Sequence, residues 1–273
     1  MVKNMKSMNK MLIIAVIAIV AVVCVGAAVS TGFLNFGSNS NGQEVNLAAA
    51  ASLKNVYDEK LIPMFEQKHP GVKVTPTYAS SGDLQSQIEN GLKADVFMSA
   101  SNKQMNNLAK KDLVDNKTNV QFLENKVVLI VPKNSSTNIT SFEDLKNMSG
   151  TIAIGNPDSV PAGQYGKEVL TSLGIWDSVE SKLSLGTDVT AVLNQVAQGS
   201  AECGIVYATD AKSNPNVKVV CEAPNGTLKT PVIYPVAELK NPEHPEAAKE
   251  FMEFLKTKEA KDVFVEYGFT VHE

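Results

Sequence analysis

No arginine occurs anywhere in this chain of 273 residues; all 25 basic side chains are lysine. Arginine's planar fork is the usual bidentate clamp for carboxylates and phosphates. A site for amino-acid carboxylates, or for phosphoryl transfer with an arginine finger, must therefore be built otherwise here. Any anion site has to draw on lysines, backbone N–H groups, hydroxyls and helix N-termini. Histidine and cysteine are scarce too, three of each. His69, His244 and His272 sit near predicted helix or chain ends and match neither a catalytic triad nor an HExxH pattern. The cysteines, Cys24, Cys203 and Cys221, lack metal-motif spacing, so no zinc site is expected. A net charge of −4 with no basic run argues against a nucleic-acid partner.

The chain does have the composition of a globular protein, 44% hydrophobic and 20% charged. Its length suits two modest domains plus a leader. Lys3, Lys6 and Lys10 precede an uncharged run from Met11 to Val29. As a helix that run would measure roughly 28 Å, enough to span a bilayer. It reads either as a cleaved signal, with Gly26-Ala27-Ala28 as the small-residue site, or as an uncleaved membrane anchor. Either way the lysines hold the N-terminus in the cytoplasm and the body lies outside, in the periplasm or on the outer face of the membrane. Ala21-Val22-Val23 is a poor lipobox before Cys24, which reads as an apolar-helix cysteine.

Ser30 to Gln43 is rich in Gly, Ser and Asn and reads as a flexible tether. Setting residues 1–43 aside removes three lysines and leaves 22 basic against 29 acidic side chains, a net −7. A body so acidic can hold an anion only through local donors. Cys203 and Cys221 each adjoin a predicted strand; a disulfide and two free thiols are both open readings.

From Val45 onward, short apolar runs alternate with amphipathic stretches. Strands are predicted at 45–50, 72–78, 94–98, 126–131, 151–155, 204–207, 217–221 and 231–237. Helices are predicted at 53–67, 83–92, 103–110, 163–173, 189–198, 243–256 and 258–267, the first with Pro63 as a candidate kink. This is an α/β chain with mixed, mostly parallel sheets flanked by helices.

In open α/β sheets, ligands bind beyond the carboxyl ends of strands, where helix N-termini offer unpaired N–H groups. Four junctions are suggestive: Ala49–Ser52, Ser80–Asp83, Gly155–Gly163 and Gly186–Val189. Each alone reads most simply as a helix cap, and Tyr207 alone as a core tyrosine. A nucleophilic role for Ser52 or Ser81 would need a positioned base, and no motif supplies one, so a Ser-dependent hydrolase is disfavoured.

Taken together, the segments resemble the periplasmic molybdate-binding protein family. The matching pieces are Ala49–Leu53 (AAASL), Tyr78–Ser81 (YASS), Ala94–Ala100 (ADVFMSA), Gly155–Gly163 (GNPDSVPAG) with Tyr165 and Lys167, Gly174–Asp177 (GIWD), Gly204–Tyr207 (GIVY) with Asp210-Ala211, and Tyr267–Thr270 (YGFT). They run in order across about 45–270. The resemblance implies a two-lobed periplasmic-binding-protein fold of type II with the ligand in the interlobe cleft. Lobe one would comprise 44–123 and 232–273, and lobe two 124–231. It implies oxyanion contacts at Ser52, Ser81, Ala162, Val189 and Tyr207, no direct protein–metal bond and no cofactor. Asp158, Asp188 and Asp210 would be the suspects if a carboxylate ligand were added. It further implies a monomer, not an enzyme, that delivers molybdate or tungstate to an ABC permease and its cytoplasmic ATPase. A receptor for sulfate or another oxyanion is the alternative on the same fold. A ligand-sensing ectodomain is disfavoured because no signalling domain is present.

Overall fold

The computed structural model describes residues 43–272. The leader at 1–29, Cys24 and the tether through residue 42 lie outside the described residues. No helix among the described residues is long and apolar enough to cross a membrane.

The chain opens with β1 (Gln43–Ala50), parallel to β2 (Val72–Ala79) on one side and to β3 (Val96–Met98) on the other. Strand side chains alternate between faces. Ala48 and its partner Phe97 therefore point to one face, where they pack with Leu84, Ile88, Met105 and Leu108. Those four residues come from α2 (Ser81–Glu89) and α3 (Asn102–Lys110). Leu47, Ala49 and Met98 point to the other face, into a core that includes Phe65, Phe251 and Phe264. With both faces covered, β1 reads as a nearly continuous apolar run. The second cover comprises α1 (51–68), α8 (Pro245–Leu255) and α9 (Lys258–Tyr267). Helix α1 is irregular: a 3₁₀ turn at Ala51–Leu53 and a wider π turn at Tyr57–Leu61 precede Pro63. Proline deprives the carbonyl four residues earlier of its donor, and a π turn is one way a helix absorbs that.

The first sheet is completed by β4 (Val120–Asn125), β10 (Val232–Glu238) and β11 (Thr270–Val271), in the order β11-β4-β10-β3-β1-β2. The second sheet has the order β7-β6-β8-β5-β9, from β5 (Val127–Pro132), β6 (Ile152–Gly155), β7 (Leu183–Gly186), β8 (Cys203–Tyr207) and β9 (Val217–Glu222). Packed on it are α4 (Pro161–Ser172), α6 (Val189–Ala197) and α7 (Ala208–Ser213), with the short α5 (Trp176–Val179) lying against α4. The chain passes from the first sheet to the second at Lys126 and returns between β9 and β10. At the first crossing the Asn125 Nδ2 amide donates to Thr209 Oγ1 at 2.8 Å and to the Tyr234 hydroxyl at 3.3 Å.

The α/β class and the two flanked, mixed sheets are as the sequence suggests, but the balance of strand directions is more even. Each sheet has a parallel half (β3-β1-β2 and β7-β6-β8) and an antiparallel half built from strands beside the crossings. A strand that leaves one sheet for the other needs no βαβ return, so its neighbours can run against it. Strands β4, β7 and β11 and helices α5 and α7 were not anticipated. Helix α4 starts at Pro161, two residues before the expected start, because proline at the first helical position costs no hydrogen bond. Cys203 and Cys221 are both free. They lie on β8 and β9, with β5 between them. Strands two apart are about 9–10 Å from one another, too far for a disulfide.

Candidate functional site

The carboxyl ends of β1, β2 and β3 face those of β6, β7 and β8 across one small cavity. The first sheet's side of the wall carries Ala50, Ala51, Ala79, Ser80, Ser81 and Ala100. The second sheet's side carries Val160, Pro161, Ala162, Asp188, Val189 and Tyr207. The cavity is about 10 Å³, on the order of what the centre of a single water or small ion explores. Larger hollows lie elsewhere, about 240 Å³ beside Glu59 and Lys212 and about 350 Å³ at the crossings. Neither gathers helix starts from both sheets.

Helix starts dominate the wall. Ser81 is the first residue of α2, Val189 the first of α6, and Ala162 the second of α4. N–H groups at these positions have no acceptor within their own helix and carry the positive end of its dipole. The caps on either side are filled conventionally. Ser80 Oγ accepts from Asp83 N at 3.1 Å, and Asp188 Oδ1 accepts from Ala191 N at 2.8 Å. The first-turn N–H groups of Ser81 and Val189 are therefore left pointing beyond their helices.

Two hydroxyls join them, and Ala100 lies beside both. The Ala100 N–H donates to Ser81 Oγ at 2.9 Å, which leaves the Ser81 hydroxyl hydrogen free to donate elsewhere. The Tyr207 hydroxyl lies 3.5 Å from the Ala100 carbonyl, a long and weak contact. Both side chains are buried, and burial pushes the Tyr207 phenol well above its ordinary range, so it stays protonated and a donor. Tyr165 and Tyr234 pack edge-on against its ring, at 6.5 and 5.7 Å.

Four of the five residues expected at the site, Ser81, Ala162, Val189 and Tyr207, thus line one cavity. Ser52 stands apart: it lines the neighbouring hollow of about 130 Å³, and its Oγ is paired with the Tyr234 hydroxyl at 2.9 Å. Its neighbour Ala51 reaches the cavity wall. Of the three suspect aspartates, Asp158 is exposed and off the wall, while Asp188 is on it. Asp210 sits behind Tyr207, where its carboxylate accepts from the Tyr207 N–H at 3.3 Å. Burial, with help from Asp188, pushes Asp210 up to about 7. Among the described residues no three His, Cys, Asp or Glu side chains form a metal-holding group. Sequence reasoning missed Ala100 as the residue whose N–H orients the Ser81 hydroxyl. Alanine carries no chemical signal of its own, and only the ADVFMSA segment pointed there.

Two mixed sheets joined by two crossings, with helix starts converging on a cavity between them, define the class of two-lobed solute-binding proteins. The chain belongs to the bacterial extracellular solute-binding protein family, whose model matches residues 45–270. A Bacillus subtilis (strain 168) protein named as an ABC transporter substrate-binding lipoprotein is 41% identical over 226 residues, covering 83% of this chain and 86% of that one. The molybdate-binding protein ModA of Haemophilus influenzae is 38% identical over 231 residues, covering 83% and 90%. In fold, the periplasmic molybdate-binding protein of Azotobacter vinelandii superposes with a TM-score of 0.74 at 22% identity, over 84% of this chain and all of that one.

Proposed function

We propose that this chain captures a small tetrahedral oxyanion, molybdate or tungstate, outside the cytoplasm and hands it to an ABC permease with its cytoplasmic ATPase. The observation that carries the reading is the cavity itself, where donors from both sheets converge and no lysine lies on the wall. Ser81, Ala162, Val189 and Tyr207 contact the oxyanion's oxygens from the wall, Ser52, whose hydroxyl is paired with Tyr234, adds its backbone N–H, and no side chain bonds the metal. A dianion among neutral donors is held by several charge-assisted hydrogen bonds and aligned helix dipoles. The lobes are 44–123 with 232–273, and 124–231, the first extended to Asn125 by the end of β4; they close over the ligand. The protein acts as a monomer and a carrier, not an enzyme. What supports a carrier over a Ser81-dependent hydrolase is the environment of Ser81, whose hydroxyl is engaged by a backbone N–H rather than by a general base.

Selectivity follows from protonation and size. Molybdate, tungstate and sulfate can accept from every donor. Hydrogen phosphate carries a proton that needs an acceptor, and an unmatched buried polar group costs ~1–3 kcal/mol. Asp188 is the carboxylate on the wall, and one of its oxygens is committed to capping α6. Sulfate is smaller, so its oxygens do not reach all donors at once. Calorimetry on the body with molybdate, tungstate, sulfate and phosphate is the test. Sub-micromolar binding of a metal oxyanion with negligible sulfate binding is expected. No heat with molybdate or tungstate would sink the reading, and stronger binding of sulfate would make the protein a sulfate receptor.

A further inference from the structure

Among the described residues the two sides of the cavity meet through a short backbone hydrogen bond, beside the longer contacts Gln104–Gln164 at 3.4 Å and Tyr207–Ala100 at 3.5 Å. The Gly82 N–H, in the first turn of α2, donates to the Ser159 carbonyl at 2.9 Å. Gly82 belongs to the first sheet's side and Ser159 to the loop before α4 on the second. A Cβ placed on Gly82 would stand 2.7 Å from Ser159 Cα and 2.9 Å from its carbonyl carbon, and closer still to the oxygen. Those are backbone atoms, which cannot swing away like the tip of a side chain. The loop that carries them is also pinned. Asn156 N donates to Gly186 O at 2.9 Å, and Val160 N to Asn156 O at 2.8 Å. At the far end of the loop, Gly163 packs on the Gly155 carbonyl with no room for a Cβ either.

We infer that Gly82 sets the closure of this cleft: its bare backbone lets α2 dock directly on the Ser159 carbonyl, and that contact fixes how near the donors of the two sides approach. Ser81 is its chain neighbour and Ala162 lies three residues beyond Ser159, so the contact gauges the separation of the two donor sets. Gly82 is a positioning residue rather than a ligand contact. Its conformation does not require glycine, because its φ is not in the left-handed region where six other glycines lie. Alanine there is also the better helix former. A methyl group at 82 is thus tolerated by each side alone and resisted only when the two meet.

The inference rests on the oxyanion-binding reading, and its test separates the two. The full chain and the Gly82→Ala and Ser159→Ala variants are titrated with molybdate and with tungstate. Dissociation rates and ligand-free melting temperatures are measured alongside. Gly82→Ala should raise Kd by at least about tenfold, the equivalent of ~1.4 kcal/mol, mainly through faster dissociation. Its ligand-free melting temperature should stay level or rise. Ser159→Ala should bind within about twofold of the parent, because the acceptor is the backbone carbonyl. Small-angle scattering at saturating oxyanion should show the Gly82→Ala chain more extended than the parent. Parent-like affinity and dissociation in Gly82→Ala overturn the inference and leave the function standing. So does a melting temperature that falls in step with affinity, which would make Gly82 a folding residue. A parent that binds neither oxyanion overturns both.

Discussion

The two sides of the cavity supply the same chemistry by different means. On the first sheet's side, the donor with a chemical identity of its own is Ser81, whose hydroxyl is oriented by the Ala100 N–H. On the second, Ala162 and Val189 are apolar side chains whose contribution is the N–H of a helix's first turn. Tyr207 is the exception there, a phenol held between two other aromatic rings. Each wall thus carries one hydroxyl and helix-start N–H groups, but two residues of the second, Ala162 and Val189, contribute backbone alone. The hydroxyls of Ser81 and Tyr207 can be edited by single substitutions, whereas the donors at Ala162 and Val189 yield only to changes that move or remove a helix start.

The largest expected effect tests the charge behind the second wall. Asp210 is raised from 3.8 to about 7 by burial. A group raised in the folded state adds stability below its unfolded value and loses it as pH rises through the folded value. The parent should therefore lose stability between about pH 4 and pH 7 relative to Asp210→Asn, by up to on the order of 4 kcal/mol. Chemical denaturation of both proteins across that range checks it; parallel curves would remove Asp210 from the account. Next, Ser81→Ala should weaken oxyanion binding by ~1.5–3 kcal/mol, the worth of a hydrogen bond to a charged acceptor. It should also destabilise the free protein, since the Ala100 N–H loses its partner. Tyr207→Phe removes one donor from the other wall and should cost a similar amount in affinity, but less in stability because its contact to Ala100 is long. The smallest effect sharpens the contrast most. Val189→Ala should leave affinity within about twofold, while unfolding shows a loss of about 1–2 kcal/mol from the buried methyl groups. A tenfold drop in affinity would mean that this side chain, not its backbone, shapes the wall.

Much of this architecture was legible in the sequence where chemistry and period agreed. The apolar run of β1, the amphipathic α8 and α9 and the serine-capped start of α2 all announced themselves. The elements that escaped lacked a signal of their own. Strand β4 mixes Val120, Phe122 and Leu123 with Gln121, Glu124 and Asn125, and half of it is exposed or partly so. Strand β7 is four residues long and leaves Leu185 54% exposed. Helix α7 is capped by Tyr207, with Asp210 reaching back to the cap, an arrangement that no serine or threonine advertised. The site followed the same division. Ser81 and Tyr207 were visible as residue types. Ala162 and Val189 emerged only from the family resemblance, and the part Ala100 plays only from geometry. Ser52 marks the other limit: the motif put it with the donors, while its hydroxyl turns to Tyr234.

The placement of β10 has a consequence for how the molecule is made. It is among the last strands synthesised, yet it lies inside the first sheet, between β4 and β3. The second sheet is drawn from one uninterrupted stretch, Val127 to Glu222, and can assemble as soon as that stretch is available. The first sheet is left with a gap until residues 232–238 arrive, and a gap filled from so far along the chain closes slowly. The half of the protein that begins the sequence is therefore the half that finishes folding last.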